Sequence, residues 1–242
     1  MHGLVSWSAL VKKIDQFSTK IRKKNKCRIV ICPPSTLLHR FANEIKCKEL
    51  MTGAQDCHEL KNGAFTGCIS ANMLKNCGAK FVITGHSERR HIYNEDDKLI
   101  SKKIIAIQKS SLSAILCVGE TLNERRKGLT EKVISNQLKI SLPLPRNSSK
   151  IVVAYEPVWS IGTGKVATTK QVDEVNNIIR FNLLKIFGSR GKIIKIIYGG
   201  SVNEKNAKYL AKLENLDGVL VGGASLKFGS FSKIINSFNH FG

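Results

Sequence analysis

The chain of 242 residues has no linker-like tract, internal repeat or low-complexity segment, so a single domain over residues 1–242 is expected. Its apolar runs are too short to span a bilayer, and no basic stretch precedes an apolar one at the N-terminus. A soluble, unexported, cytoplasmic protein with no membrane partner is the expectation. There is no CxxC pair. The seven cysteines (Cys27, Cys32, Cys47, Cys57, Cys68, Cys77, Cys117) are irregularly spaced and odd in number, which excludes full pairing within the chain and reads as reduced, mostly structural thiols. The six histidines include no HExxH or comparable ligand pair, so no metal is expected. Acids are scarce, 18 against 39 Lys plus Arg, leaving a formal charge of +21. Such a charge attracts nucleic acid, anionic membrane or phosphorylated metabolites. The lysines are spread along the whole chain beside abundant Ile and Asn, however, and the compositional bias of an AT-rich genome accounts for them better than nucleic-acid binding does.

What the chain does have is alternation. Leu4, Trp7, Val11, Ile14 and Ile21 recur at helical spacing, so it opens on an amphipathic helix and not on a strand. A β-branched run at 28–32 is stopped by Pro33 and Pro34, and a helix follows through Leu37, Leu38, Phe41 and Ile45. Further strands are expected at 51–55, 80–84, 113–118, 151–155, 195–198 and 218–221, with helices between them, for example at 97–108, 169–187 and 204–213. Repeated βα units imply an α/β fold with a parallel sheet covered by helices, either a closed barrel or a doubly wound open sheet. Only seven strands are visible where a (β/α)8 barrel needs eight. Polar or Gly-rich motifs nevertheless follow strand after strand: Gly85-His86-Ser87-Glu88, Gly119-Glu120, Glu156, Gly199-Gly200-Ser201 and Gly222-Gly223. Chemistry gathered from many strand ends points to a barrel, since an open sheet concentrates it at one switch point.

One stretch organises the rest. Four β-prone residues at 151–154 run into Glu156, and Pro157 pushes that residue out of the helical region and fixes its exit, so a strand delivers a carboxylate to a rim. Pro157, Val158, Trp159, Ser160, Ile161, Gly162, Thr163, Gly164 and Lys165 then combine backbone-permissive glycines with buriable side chains, which reads as a lid over a base. An ordinary strand-to-helix loop is the plainer alternative. His86 follows a strand and opens a helix at 87–90. Positive charge is disfavoured there, so the imidazole should stay neutral and donate a hydrogen bond, which beside a carboxylate base suits enolisation of a carbonyl compound. A histidine that merely caps a helix is the plainer reading. Two Gly pairs after the last two strands, Gly199-Gly200 with Ser201 and Gly222-Gly223, let backbone N–H groups approach an anion and together look like a phosphate cradle.

These residues carry a resemblance. Over about residues 28 to 228 the chain resembles the triosephosphate isomerase family, through Ala54-Gln55-Asp56, Gly63-Ala64-Phe65-Thr66-Gly67, Gly85-His86-Ser87-Glu88-Arg89-Arg90, Cys117-Val118-Gly119-Glu120, the lid stretch and Tyr198-Gly199-Gly200-Ser201-Val202. The resemblance implies a TIM barrel and the interconversion of dihydroxyacetone phosphate and glyceraldehyde 3-phosphate through an enediolate, in glycolysis and gluconeogenesis. A glutamate base, a neutral histidine and loop closure are a combination for which that family is itself the standard example. By resemblance, Glu156 is the proton acceptor, His86 the electrophile and Glu88 a supporting polar residue. Gly162, Ser201, Gly222 and Gly223 hold the phosphate, and the lid closes over it. No cofactor is implied. The family is usually homodimeric, which places Thr66, on the loop at 57–66, near a partner's site.

The match also has gaps. The family's first strand ends in an Asn-Trp-Lys-Met motif whose Asn and Lys line the site, and Met1-His2-Gly3 reads as the continuation just after that lysine. The expectation is therefore a barrel with strand one missing from the given chain, by a misassigned start or by truncation, that is poorly active and poorly stable as written. Ser160 stands where the family usually has Ala, and Cys68 where an acid is common. Two other readings stay open. One is an impaired barrel acting only as a phosphate or nucleic-acid binding protein. The other is a barrel enzyme for a different sugar phosphate.

Overall fold

Short runs rich in Ile, Val and small residues form seven parallel strands in the computed structural model, which describes residues 3–21, 27–142, 148–161 and 165–239. They are β1 (Ile29–Ile31), β2 (Leu50–Ala54), β3 (Phe81–Thr84), β4 (Ser113–Val118), β5 (Ile151–Tyr155), β6 (Lys195–Tyr198) and β7 (Gly218–Val219). The helices are α1 (Ser8–Ile21), α2 (Ser35–Glu44), α3 (Ala71–Asn76), α4 (Ser87–Ile92), α5 (Asp97–Lys109), α6 (Leu122–Arg126), α7 (Thr130–Ser141), α8 (Thr169–Phe187), α9 (Ala207–Leu210) and α10 (Phe228–Asn239).

Each strand pairs with the next in chain order, from β1 through to β7. A doubly wound sheet reverses its order at a switch point, and this one never does, so the winding is that of a barrel. Among the described residues β1 pairs only with β2, and β7 only with β6. The continuous apolar strands bury both faces. Outward-facing Val82, Leu116, Val153 and Ile196 pack against Ile104, Ile134, Val175 and Ile179 of the helices. Inward-facing Ile83, Ile115, Cys117 and Ala154 form a separate inner cluster. Helices α1 and α10 meet on the outside, where the Phe17 and Phe228 rings cross edge to face at 5.8 Å.

Helix starts follow their caps. Ser70, Asp96, Thr121 and Thr168 each accept the N–H three residues on, and Thr121 with Glu124, like Thr168 with Gln171, completes a reciprocal capping box. Two expectations are corrected. Leu4 lies ahead of α1, exposed, beside a 3-10 turn at Val5–Trp7. The helix expected at 204–213 is a single turn, α9, because the backbone around it closes tighter bonds across three residues, Tyr209 N to Asn206 O at 3.0 Å, Lys212 N to Tyr209 O at 3.3 Å and Leu213 N to Leu210 O at 3.0 Å.

Candidate active site

β5 carries Glu156 past its last ladder position, and both neighbours fix it there. The Glu156 amide donates to Val118 O at 2.8 Å, and Gly199 N donates to Tyr155 O at 2.7 Å. Gly119 at the end of β4 has no alternative, since a Cβ there would run into the Glu156 carbonyl. The carboxylate is 2% exposed. Its Oε2 accepts the Ser87 amide at 3.0 Å, and its Oε1 lies 3.3 Å from His86 Nε2. Burial pushes Glu156 above the usual carboxylate range, against the opposing pull of His86, the Ser87 amide, the Cys117 thiol and Arg90. Cys117, held well above the ordinary thiol value by burial and by Glu156, keeps its proton, and the thiol draws that carboxylate back down.

His86 is the N-cap of α4. Its Nδ1 accepts the Glu88 amide at 3.2 Å, so in the neutral ring the proton sits on Nε2, the nitrogen that faces Glu156. The ring is 28% exposed and looks into the mouth of the barrel. Arg90 stiffens the turn beneath it, donating to Gly85 O at 2.8 Å, to Cys117 O at 3.1 Å and to Asp97 Oδ1 at 2.6 Å. The Glu88 side chain is exposed, and its backbone amide donates to His86 Nδ1. The buried position in this turn is Ser87, so a carboxylate one residue later faces outward.

The segment after Glu156 forms a 3-10 turn, Val158–Ser160, seated on the ends of β4 and β6. Val158 N donates to Glu120 O at 3.1 Å and Trp159 Nε1 to Glu120 Oε1 at 2.9 Å. The same carboxylate oxygen, fully buried, also accepts Tyr155 Oη at 3.1 Å and Arg125 Nη1 at 2.9 Å. Ser201 Oγ donates to Ser160 O at 2.6 Å. Gly162, Thr163 and Gly164 lie outside the described residues, and Lys165 beyond them is exposed. Gly222 and Gly223 are exposed past β7, where Gly223 opens a 3-10 turn and Gly222 O accepts Ser225 N at 2.9 Å and Ser225 Oγ at 2.7 Å. Thr66 is exposed on the loop after β2. Among the described residues no hydrogen bond joins Thr66, Gly222 or Gly223 to His86 or Glu156.

The structure thus brings together Glu156 and His86, both singled out from the sequence, and adds Ser87, Cys117, Arg90 and the anchoring role of Glu120, which sequence reasoning did not single out. Of these only Glu120, a carboxylate at a strand end, left a signal in its own neighbourhood. A chain-ordered βα barrel with a buried carboxylate facing an imidazole over its strand ends is the framework of a barrel enzyme that moves protons. Relatives make the class specific. The family sequence model described as triosephosphate isomerase matches residues 5–238. Triosephosphate isomerase of Ruegeria sp. (strain TM1040) is 47% identical over 207 residues, 86% of this chain and 83% of that one. That of Aquifex aeolicus (strain VF5) is 46% identical over 228 residues, 93% and 92% of the two chains. The crystal structure of triosephosphate isomerase from Bartonella henselae superposes with a TM-score of 0.90 at 37% identity, covering 98% of this chain and 95% of that one. The chain belongs to the triosephosphate isomerase family and has its TIM-barrel fold. Among the described residues no helix is long and apolar enough to cross a membrane.

Proposed function

We infer that this chain is a triosephosphate isomerase, interconverting dihydroxyacetone phosphate and D-glyceraldehyde 3-phosphate. The observation that carries the reading is the pairing of Glu156 and His86 across 3.3 Å, on two different strand ends. Glu156 takes a proton from the carbon beside the carbonyl and returns it to the neighbouring carbon. His86 donates through Nε2–H to the carbonyl oxygen as it gains charge and shuttles a proton between the two oxygens. Burial makes Glu156 a stronger base than a solvated carboxylate, and a neutral imidazole that gives its Nε2 proton to one oxygen becomes an imidazolate, which recovers a proton from the other. These transfers need no cofactor. Ser201, Gly222 and Gly223, with Gly162, hold the phosphate through backbone amides. The segment from Pro157 to Lys165 is the lid that keeps water from the enediolate.

The homodimer is part of the same reading. The loop after β2 presents residues 61–68 exposed, with Phe65 resting on His58 at 4.3 Å between ring centroids, and a second copy would cover it. A cytoplasmic, glycolytic setting goes with that activity. Interconversion by the purified chain tests the reading, alongside Glu156→Gln and His86→Gln. Each substitution should lower kcat/KM by about 10²-fold or more with the fold kept, the range expected for a lost acid or base. Turnover that survives both substitutions would overturn it.

A further inference from the structure

The two ends of the barrel handle charge differently. The strands run parallel, so a residue that precedes a strand lies at the end opposite His86 and Glu156. At the catalytic end cations and carboxylates neutralise each other: Arg89 meets Asp56, Arg90 meets Asp97, Lys103 meets Glu95 and Arg125 meets Glu120, each at 3.0 Å or less. The opposite end has cations without that compensation. Lys46 and Lys48 precede β2, Lys80 precedes β3, Lys150 precedes β5, and Lys192 and Lys195 lead into β6. All but the half-buried Lys150 are exposed. Among the described residues no carboxylate forms an ion pair with Lys46, Lys48, Lys80, Lys150 or Lys192. The acids nearby are engaged elsewhere. Asp217 holds Lys195 at 2.7 Å and Arg180 at 3.6 Å, Asp15 Oδ1 accepts the Lys46 and Cys47 amides, and Glu49 Oε2 accepts the Cys47 thiol, while Glu214 is exposed ahead of β7.

Strand order sets these lysines side by side, because each strand from β2 to β6 lies about 4.8 Å from the next. Lys80 N donates to Thr52 O, Ser113 N donates to Lys80 O, and Lys195 pairs with Val152, two residues after Lys150. The turn at Gly188–Ile193 packs on the one at Ser148–Lys150. An arc of ammonium groups results. Compositional bias accounts for the number of lysines and not for their separation from the acids. Lys46, Lys48 and Lys80 lie outside every helix, so helix dipoles do not account for their placement either.

Clustered like charges repel one another and gain nothing within the chain, an arrangement that suits an external polyanion. Two details choose among polyanions. Ile193 is 60% exposed between Lys192 and Lys195, an apolar side chain set among ammonium groups. Nucleic-acid recognition draws on stacking aromatics, and the described segments leading into β2, β3, β5 and β6 carry no exposed aromatic residue. Lysines around an exposed isoleucine match the interface of a bilayer with anionic headgroups.

We propose that the end of the barrel opposite the active site docks on an anionic phospholipid bilayer through Lys46, Lys48, Lys80, Lys150 and Lys192, with Ile193 entering the headgroup layer. Docking from one side needs no spanning helix, and the expectation of no membrane partner concerned spans alone. His86 and Glu156 then face the solution, and the inference does not depend on the isomerase reading.

The test is co-sedimentation of the full chain with vesicles of phosphatidylcholine alone and of phosphatidylcholine and phosphatidylglycerol in equal amounts. The expected result is binding to the mixed vesicles only, lost as salt is raised. Combining Lys46→Gln, Lys48→Gln, Lys150→Gln and Lys192→Gln should weaken it on the order of 10²-fold or more. Lys98→Gln, Lys127→Gln, Lys205→Gln and Lys227→Gln together remove the same charge from exposed positions near the catalytic end. That variant should change binding less than about threefold, since a five-residue strand puts about 16 Å between the ends, more than the Debye length of about 10 Å at 0.1 M salt. Ile193→Ser should weaken binding roughly three- to tenfold. Circular dichroism checks that each variant is folded. Failure to bind the mixed vesicles, or equal losses in the two four-lysine variants, would overturn the docking, and full binding by Ile193→Ser would overturn the insertion. A polyuridylate titration supplies the remaining arm: RNA bound through the same lysines while mixed vesicles stay unbound would replace the bilayer with nucleic acid.

Discussion

At the scale of single residues, the site is a carboxylate kept dry and corrected by its neighbours. Burial raises Glu156, and as the base of the proposed reaction it would work only when ionised, so kcat/KM should fall on the acid side at a pH above the ordinary carboxylate value of 4.5. Cys117 acts in the opposite sense, because its S–H stabilises the charged carboxylate. Cys117→Ala removes that donor, so the acid limb should move to still higher pH; a pH–rate profile checks this, and an unmoved limb would contradict it. The linkage to stability has a definite sign. Because the folded value lies above the unfolded one, protonated Glu156 favours the fold at low pH, and that contribution is lost as pH rises through the folded value. The strand-end positions of Glu156 and His86 were legible because one directly follows β5 and the other comes one glycine after β3. Ser87, Cys117 and Arg90 were not, because their contacts join residues up to 69 apart in the chain, a relation local patterning does not contain. The outward turn of Glu88 depends on which face of a six-residue helix is buried.

At the scale of elements, strand ends fix the chemistry more than loops do. Gly119 shows how little room remains between β4 and β5. Gly119→Ala would drive a methyl group into the Glu156 carbonyl and displace the base. A shift of about 1 Å in a catalytic group costs on the order of 10²-fold, and the expected outcome is a loss of that size in kcat/KM with circular dichroism unchanged. Near-normal activity would mean that the β4 end yields. Strands were easy to place because β-branched runs end at Gly, Pro or charged residues, and β4, β5 and β6 fall where the pattern put them. α9 was overestimated because apolar spacing at three and four does not tell a regular helix from the tighter three-residue turns that flank it.

At the scale of the whole molecule, winding in chain order brings distant carboxylates and cations together beneath the site. Lys103 on α5 is buried, with Nζ 2.9 Å from Asp56 Oδ1 and 2.6 Å from Glu95 Oε1. Burial holds Asp56 above its ordinary range despite that pairing. Burial raises Glu95 as well, yet hydrogen bonds from Arg89 and Lys103 draw it below its range. Lys103→Met would leave two carboxylates facing each other with less compensation, and removing one partner of a buried pair costs about 3–5 kcal/mol. Urea denaturation should show a loss of that order, and a change under about 1 kcal/mol would mean that Arg89 alone suffices. The barrel class was legible from chemistry recurring at strand ends, whereas this buried network was not, since Asp56 follows β2 while Arg89, Glu95 and Lys103 follow β3, and no shared motif ties them. The central claim is that Glu156 moves a carbon-bound proton of a triose phosphate, and the most direct measurement is solvent-deuterium incorporation, followed by NMR, with dihydroxyacetone phosphate in deuterium oxide. The account predicts deuterium on the carbon beside the carbonyl and in glyceraldehyde 3-phosphate with the wild type, and only the uncatalysed rate with Glu156→Gln. Equal incorporation by the two proteins, or none by the wild type, would contradict it.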